Sequence, residues 1–431
     1  MLSSNLTIGE NGHLYFGGHD TVELAKEYGT PLYVMDEVRI RENMRMYLNA
    51  FKVHFGEGSR PLYASKANSF KRMYEIAKEE GMGIDVVSSG EIYTAIKAGF
   101  PLGNAYFHSN NKTDWDIAYA MDNGIGYFVV DNREELDVIN AIAAEKGKKQ
   151  PILLRLTPGV DPHTYEAIST GKVDSKFGTA IETGQARQMV GYTLSLSNIE
   201  LKGFHCHVGS QVFGEDIYER ASEIMLKFIY ECEQEFAVKF EQLDMGGGYG
   251  VRYMDGDDYV DIPAAIGRVA KHMKAYCEQL GMDLPKIFME PGRSIAADAG
   301  LTLYSVGTIK KITGYKNYVS VDGGMTDNPR YALYGSKYTV YHANRPLDEK
   351  DLVADVVGRC CESGDTVQPN VVLPEPKRGE ILAVCTTGAY NYSMASNYNR
   401  VNRPAMVMVT PDKSYVAIRR ESLEDIVRND V

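Results

Sequence analysis

Four short stretches of this chain carry residue types that could act together on a small molecule. Pro61-Leu62-Tyr63-Ala64-Ser65-Lys66-Ala67-Asn68 is an apolar run that reads as a strand and breaks off at a lysine, with a helical stretch from Ser69 to Glu80 after it. An amine at the carboxyl end of a strand is placed to form a Schiff base, and burial there would free its lone pair. A second stretch is His205-Cys206-His207-Val208-Gly209-Ser210-Gln211. Histidines at i and i+2 of a strand point the same way, so zinc is one reading, but no third ligand follows at convincing spacing. An imidazole stacked on a flat cofactor is the better one, with His205 read as a core histidine. In Asp244-Met245-Gly246-Gly247-Gly248-Tyr249-Gly250, successive glycines let backbone N–H groups close on a phosphate. Glycine-rich turns are common, however, and neither the dinucleotide fingerprint nor the P-loop pattern is met. The fourth stretch, Glu290-Pro291-Gly292-Arg293-Ser294, is either a salt-bridged turn or a carboxylate for a protonated ring nitrogen, with a guanidinium beside it for a phosphate or carboxylate.

The elements that must position these residues alternate between residues 60 and 290. Strand-like runs at Leu62–Ala64, Ile84–Val87, Ala105–His108, Tyr127–Val130, Ile152–Leu156, Leu201–Cys206, Gln242–Asp244 and Ile287–Met289 are separated by helical patterns. The clearest helix has Ile217, Ala221, Ile224, Met225, Phe228, Ile229 and Cys232 on one face. Eight strand–helix units predict a closed (β/α)8 barrel, with a doubly wound open sheet as the alternative. Asp85 to Glu91 predicts a helix N-cap with Glu91 in the first turn. The long loop from Thr157 to Gly178 carries its own polar motif and reads as functional, a lid over the site being one form that takes. After residue 295 the texture turns β-rich, in Leu301–Ile309, Tyr318–Asp322 and Met406–Thr410, and Leu14–Phe16 and Leu32–Met35 share that character. The expected division is a barrel over 37–295 and a β domain built from 1–36 with 296–431.

In such a barrel chemistry gathers at the carboxyl ends of the strands. A lysine, a ring-stacking histidine, a glycine cradle and a carboxylate on successive strand ends describe pyridoxal 5′-phosphate, whose pyridinium ring is an electron sink. A net charge of -12 argues against nucleic acid or an anionic membrane as partner. The six cysteines show neither metal-ligand spacing nor a disulfide framework, and Met1–Leu6 has neither a basic segment nor an apolar core. With no membrane-length apolar stretch either, the expectation is a cytoplasmic protein with reduced thiols.

These motifs, with Asp322-Gly323-Gly324-Met325, Arg330-Tyr331-Ala332-Leu333-Tyr334, Cys361-Glu362-Ser363-Gly364-Asp365 and Gly388-Ala389-Tyr390, run in one order along almost the whole chain. In this the chain resembles the fold-type III pyridoxal-phosphate-dependent decarboxylases. Thr170-Gly171 followed by Ser175-Lys176-Phe177-Gly178 is typical of the branch that converts meso-2,6-diaminopimelate to L-lysine and CO2, the last step of bacterial-type lysine biosynthesis. The resemblance implies an alanine racemase-like fold and a head-to-tail homodimer with shared active sites. It implies that Lys66 carries the cofactor, His207 stacks on its ring, and Glu290 pairs with the ring nitrogen. By the same resemblance Ser210, Gly246, Gly247, Gly248, Gly292, Arg293 and Tyr390 belong to the cofactor site. Arg293, Arg330, Tyr334, Glu362 and Tyr390 would touch substrate, and Cys361, contributed across the dimer, would protonate the product carbon. Arg359, Cys360 and Tyr331 depart from the family's usual residues, and the adjacent thiols leave the donor less certain.

Two arginines suit a substrate that keeps a distal carboxylate. The rivals on the same fold act on D-ornithine, D-lysine, carboxynorspermidine or L-ornithine. A non-catalytic regulator that keeps the barrel would not need Lys66, Glu290 and Cys361 intact. A racemase of this fold needs a base on the second ring face and lacks the Cys-Glu-Ser-Gly motif.

Overall fold

The computed structural model describes residues 1–160, 175–214 and 216–431. The chain forms two compact units. One comprises Met44–Gly250 with Tyr259–Gly292, the other Met1–Asn43, Val251–Asp258 and Arg293–Val431.

The first unit is a (β/α)8 barrel. Its strands, in order, are Arg60–Ala64, Gly83–Val86, Ala105–Phe107, Tyr127–Val130, Gln150–Thr157, Ile199–His205, Gln242–Asp244 and Lys286–Met289. Each pairs in parallel with the next, and the eighth pairs with the first, closing the barrel. The first-to-fourth and fifth-to-eighth strands meet through Tyr127–Val130 against Gln150–Thr157, so no open-sheet edge interrupts the order. Leu62, Tyr106, Val129, Leu153 and Phe288 fill the interior, where burial of each large apolar side chain contributes roughly 1.5–3 kcal/mol. The helix expected after the sixth strand runs over Ile217–Phe236. Its buried face holds Ile217, Ala221, Met225, Phe228, Ile229 and Cys232; Leu226 is buried with them, whereas Ile224 is only half-buried.

The ladders continue one residue past the strands and so fix the residues at the strand ends. His108 donates its backbone N–H to Val86 O at 2.8 Å, Cys206 to Asp244 O at 2.8 Å, and Glu290 to Gly246 O at 2.9 Å. Ser88 caps the helix Ser89–Lys97 by accepting from Glu91 N, as the sequence predicts.

The second unit is mainly β. Leu32–Asp36 lies antiparallel to Gly300–Leu303 and parallel to Ala405–Val409. The two chain ends therefore share one sheet, and Leu14, Phe16, Leu32, Val34, Leu301, Leu303 and Val407 share one core. Among the described residues, no helix is long and apolar enough to cross a membrane.

Gly203 tests the barrel's closure. It faces Gln242 across the sixth and seventh strands, and a Cβ there would lie 1.8 Å from Gln242 O. Gly203→Ala should destabilise the protein by about 1–3 kcal/mol, read as a lower denaturant midpoint, and an unchanged midpoint would contradict this packing.

Candidate active site

In the barrel unit, Lys66 sits on the 3-10 turn Ser65–Ala67, directly after the first strand. Its side chain is exposed, so the burial expected around it is not present in this structure. The neighbouring Ser65 is buried and anchors the turn. Its hydroxyl lies 2.7 Å from Asp85 O and 2.7 Å from Glu91 Oε2, and Glu91 also accepts from Val87 N. Glu91 is thus more than a first-turn residue: its carboxyl points inward, and burial pushes it up to about 7 against the pull of those donors. Gly292 lies tight against the same strand end, where a Cβ would come within 2.9 Å of Ala64 Cβ.

Glu290, just past the eighth strand, is the electrostatic centre of this unit. His108 Nε2 lies 2.6 Å from its Oε1, a close polar contact whose angle is not that of a linear hydrogen bond. His205 Nε2 lies 3.2 Å from its Oε2. Burial alone would raise the Glu290 carboxyl, but the imidazoles of His108 and then His205 outweigh it and hold the group well below the usual range. Asp244 moves the other way, pushed well up by burial and by the Glu290 charge. Asp85 is also raised, by burial first and partly relieved by His108. Of these three buried carboxyls, Glu290 is the one whose surroundings favour the charged form.

His207 is half-buried, and its Nδ1 accepts from Gly247 N at 3.2 Å. Burial, then the nearby Lys66 charge, depresses its pKa well below the ordinary value, so the ring is neutral at pH 7. His205 is depressed to about 3, chiefly by burial. The two histidines therefore do different things, one facing Glu290 and the other the glycine turn.

The glycines are required by packing. A Cβ on Gly246 would lie 2.6 Å from Cys206 O, on Gly247 2.1 Å from Glu290 O, and on Gly248 2.4 Å from Gly209 O. Gly246 donates to Asp244 Oδ1 at 2.9 Å and Gly247 to His207 Nδ1, so these two N–H groups already have protein partners. Ser210 is half-buried on the turn after the sixth strand.

The chemistry of this donor set fits a pyridoxal cofactor: an accessible amine, a neutral imidazole locked by a backbone donor, and a buried carboxylate that stays charged. A metal fits less well. His108, His205 and Glu290 offer ligand atoms within 4.8 Å of one another. Yet two ligands of one tetrahedral zinc stand about 3.3 Å apart for bonds near 2.0 Å, and His108 and Glu290 approach to 2.6 Å.

In the β unit, Arg293 and Arg330 are buried. Arg293 Nη1 donates to Tyr253 Oη at 2.6 Å, and its guanidinium lies 4.7 Å from the Tyr390 ring centre. Arg330 lies 5.1 Å from the same ring and 5.2 Å from that of Tyr334. The structure thus brings Arg293, Arg330, Tyr334 and Tyr390 together. Cys361 and Glu362 are exposed on a separate turn that Asp365 fastens by accepting from Met325 N and Cys360 N. Cys361 N donates to Asn399 Oδ1 at 2.8 Å.

Thr170 to Asp174, and with them most of the loop read as a lid, lie outside the described residues. The described end of that motif is docked: Gly178 N donates to Asp131 Oδ1 at 2.9 Å and Thr157 Oγ1 to Phe177 O at 2.9 Å. Two residues beside Glu290, His108 and Asp244, carry no role in the reading of the sequence. His108 directly follows the third strand, so the strand-end rule that found Lys66 would also have found it.

Residues 38–297 match the family described as pyridoxal-dependent decarboxylase, pyridoxal binding domain. The chain is 43% identical over 422 residues to diaminopimelate decarboxylase of Bacillus subtilis, covering 98% of this chain and 96% of that one. It is 42% identical to that of Staphylococcus aureus, covering 98% of each. A solved diaminopimelate decarboxylase of M. jannaschii in complex with L-lysine superposes with a TM-score of 0.92 at 32% identity, over 100% of this chain and 99% of the other.

A pH titration separates the roles of the buried groups. A histidine that stays neutral to about pH 3 leaves the unfolded chain binding more protons from its ordinary 6.5 downward, so stability falls as pH falls through that window. Unfolding free energy should drop from pH 7 to pH 4 less steeply in His205→Gln than in the parent protein, and parallel slopes would contradict the assignment.

Proposed function

The chain belongs to the pyridoxal-dependent decarboxylases and, within them, to the diaminopimelate decarboxylases, and from that premise we propose how its residues divide the reaction. It converts meso-2,6-diaminopimelate to L-lysine and CO2 with pyridoxal 5′-phosphate. The observation that carries this is Lys66, one turn past a barrel strand, in the same unit as a charged buried Glu290 and in a chain similar to these enzymes over nearly its full length.

When bound, the cofactor supplies a ring that takes up the electron pair left by departing CO2. Lys66 would hold the cofactor through its amine. Glu290 would serve the ring nitrogen as a charged partner that favours its protonated form, and the neutral His207 would supply the imidazole for the ring. Ser210, Gly246, Gly247, Gly248, Gly292, Arg293 and Tyr390 hold the phosphate end; with Gly246 and Gly247 already donating inside the protein, Gly248 and the neighbouring turns carry more of that load. Arg293 and Arg330 bind substrate carboxylate, with Tyr334, Tyr390 and Glu362 completing the contacts. Cys361 returns a proton to the carbon that lost CO2. The active form is a cytoplasmic homodimer with shared sites, in which 37–295 bind the cofactor and 1–36 with 296–431 complete the site.

Purified protein offered meso-diaminopimelate, D-lysine and L-ornithine in parallel should release CO2 from the first, and Lys66→Ala should lower that rate by roughly 100-fold or more. Turnover of only D-lysine or L-ornithine would contradict the substrate. For the shared site, mixing inactive Lys66→Ala and Cys361→Ala chains should restore part of the activity, because one site per heterodimer is intact. No recovery despite measured subunit exchange would contradict it.

A further inference from the structure

The contacts of Glu290 go beyond what its pairing with a ring nitrogen requires. We infer that His108 and His205 are positioning residues for the decarboxylation, each holding one oxygen of the Glu290 carboxylate so that it stays charged and aimed. The inference rests on the reading of Glu290 as the partner of the ring nitrogen.

The three residues arrive from the ends of three different strands, the third, sixth and eighth. All are at least nine-tenths buried, His108 at 4%, His205 at 1% and Glu290 at 6% exposure, so bulk water cannot solvate the charge. A buried carboxylate without donors takes up a proton instead. Here each oxygen has its own imidazole nitrogen, at 2.6 Å for His108 and 3.2 Å for His205. The two rings also pack edge to face, centroids 4.8 Å apart at 68°, so neither turns without displacing the other. His108 is fixed further by its backbone bond to Val86 O. His205 Nδ1 has no hydrogen-bond partner among the described residues, which leaves Nε2 as the nitrogen that carries the proton towards Glu290. Asp85 and Asp244, the other acids facing this cluster, are shifted towards their neutral forms, and Arg155 and Lys66 add positive field. The arrangement concentrates one negative charge at one carboxylate.

Glutamine and asparagine distinguish positioning from packing. A glutamine amide nitrogen can stand where Nε2 stood, whereas that of asparagine falls short of it. The holoenzyme is loaded with cofactor labelled with 15N in the ring, and the nitrogen shift is followed with pH, together with kcat and KM for meso-diaminopimelate. His108→Gln and His205→Gln should keep the protonated-nitrogen signal and most of kcat. His108→Asn and His205→Asn should move the signal towards neutral pyridine and lower kcat by roughly 10-fold or more, with KM little changed. Glutamine and asparagine variants that behave alike would overturn the inference, whether both keep the signal or both lose it. Should the asparagine variants fail to load cofactor, the same comparison is read in the apoproteins, by carbon-13 titration of the Glu290 carboxyl. There the asparagine variants should titrate higher than the glutamine ones, and coincident curves would overturn the inference. Glu290→Gln separates the two levels: a ring-nitrogen signal unchanged in that variant overturns the reading of Glu290 and the inference with it. A stoichiometric metal in the purified protein, lost in the histidine variants, would also overturn it.

Discussion

The constraint on which the barrel's chemistry depends is the cost of keeping one carboxylate charged out of water. Glu290 is buried beside two more acids, Asp85 and Asp244, and three buried negative charges so close together would repel strongly. The structure resolves this by unequal surroundings. Asp244 is pushed towards its neutral form, while the imidazoles of His108 and His205 converge on Glu290. A lone buried charge is costly, but one with an imidazole against each oxygen is tolerated and oriented at the same time. Orientation matters for the role proposed for Glu290, because a ring of fixed geometry would meet the same oxygen at every turnover.

That arrangement explains why the backbone around it is so intolerant of side chains. Gly247 passes over Glu290 O so closely that a Cβ would lie 2.1 Å away, and Gly292 presses on Ala64 beside the lysine turn. The glycines after the seventh strand looked like a phosphate cradle from sequence. In the structure their first duty is to let strand ends pack, and Gly247 in turn fixes the His207 ring through its N–H. A glycine loop can serve both ends, since removing side chains to admit neighbouring backbone also opens the turn to a ligand.

Much of this was legible in the chain. Eight strand–helix alternations gave the barrel because buried parallel strands are short and apolar and their crossovers are amphipathic helices, two periods that read directly. Lys66, His207 and Glu290 stood out as candidates because strand ends are where such barrels place chemistry, and in the structure all three follow barrel strands. Less visible was anything set by pairing across long sequence separations. The β-rich texture of both chain ends pointed to one β domain, but the pairing of Leu32–Asp36 with Gly300–Leu303 and Ala405–Val409 has no local signal. The same holds for the convergence of His108, His205 and Glu290, which are brought together only by closure of the barrel; His205 read as an ordinary core histidine for that reason. The exposure of Lys66 also escaped sequence reasoning, since a strand end can open outward or inward with the same residues.

With the cofactor bound, the charged Glu290 carboxylate should face its ring nitrogen while both imidazoles remain on the carboxylate. A high-resolution crystal structure of the protein with pyridoxal 5′-phosphate bound tests it most directly. The expected result is a covalent link at Lys66 and a Glu290 oxygen about 2.6–3.0 Å from the ring nitrogen, with His108 and His205 still against the carboxylate. A cofactor whose ring nitrogen faces another group, or a Glu290 turned away from both histidines, would contradict it.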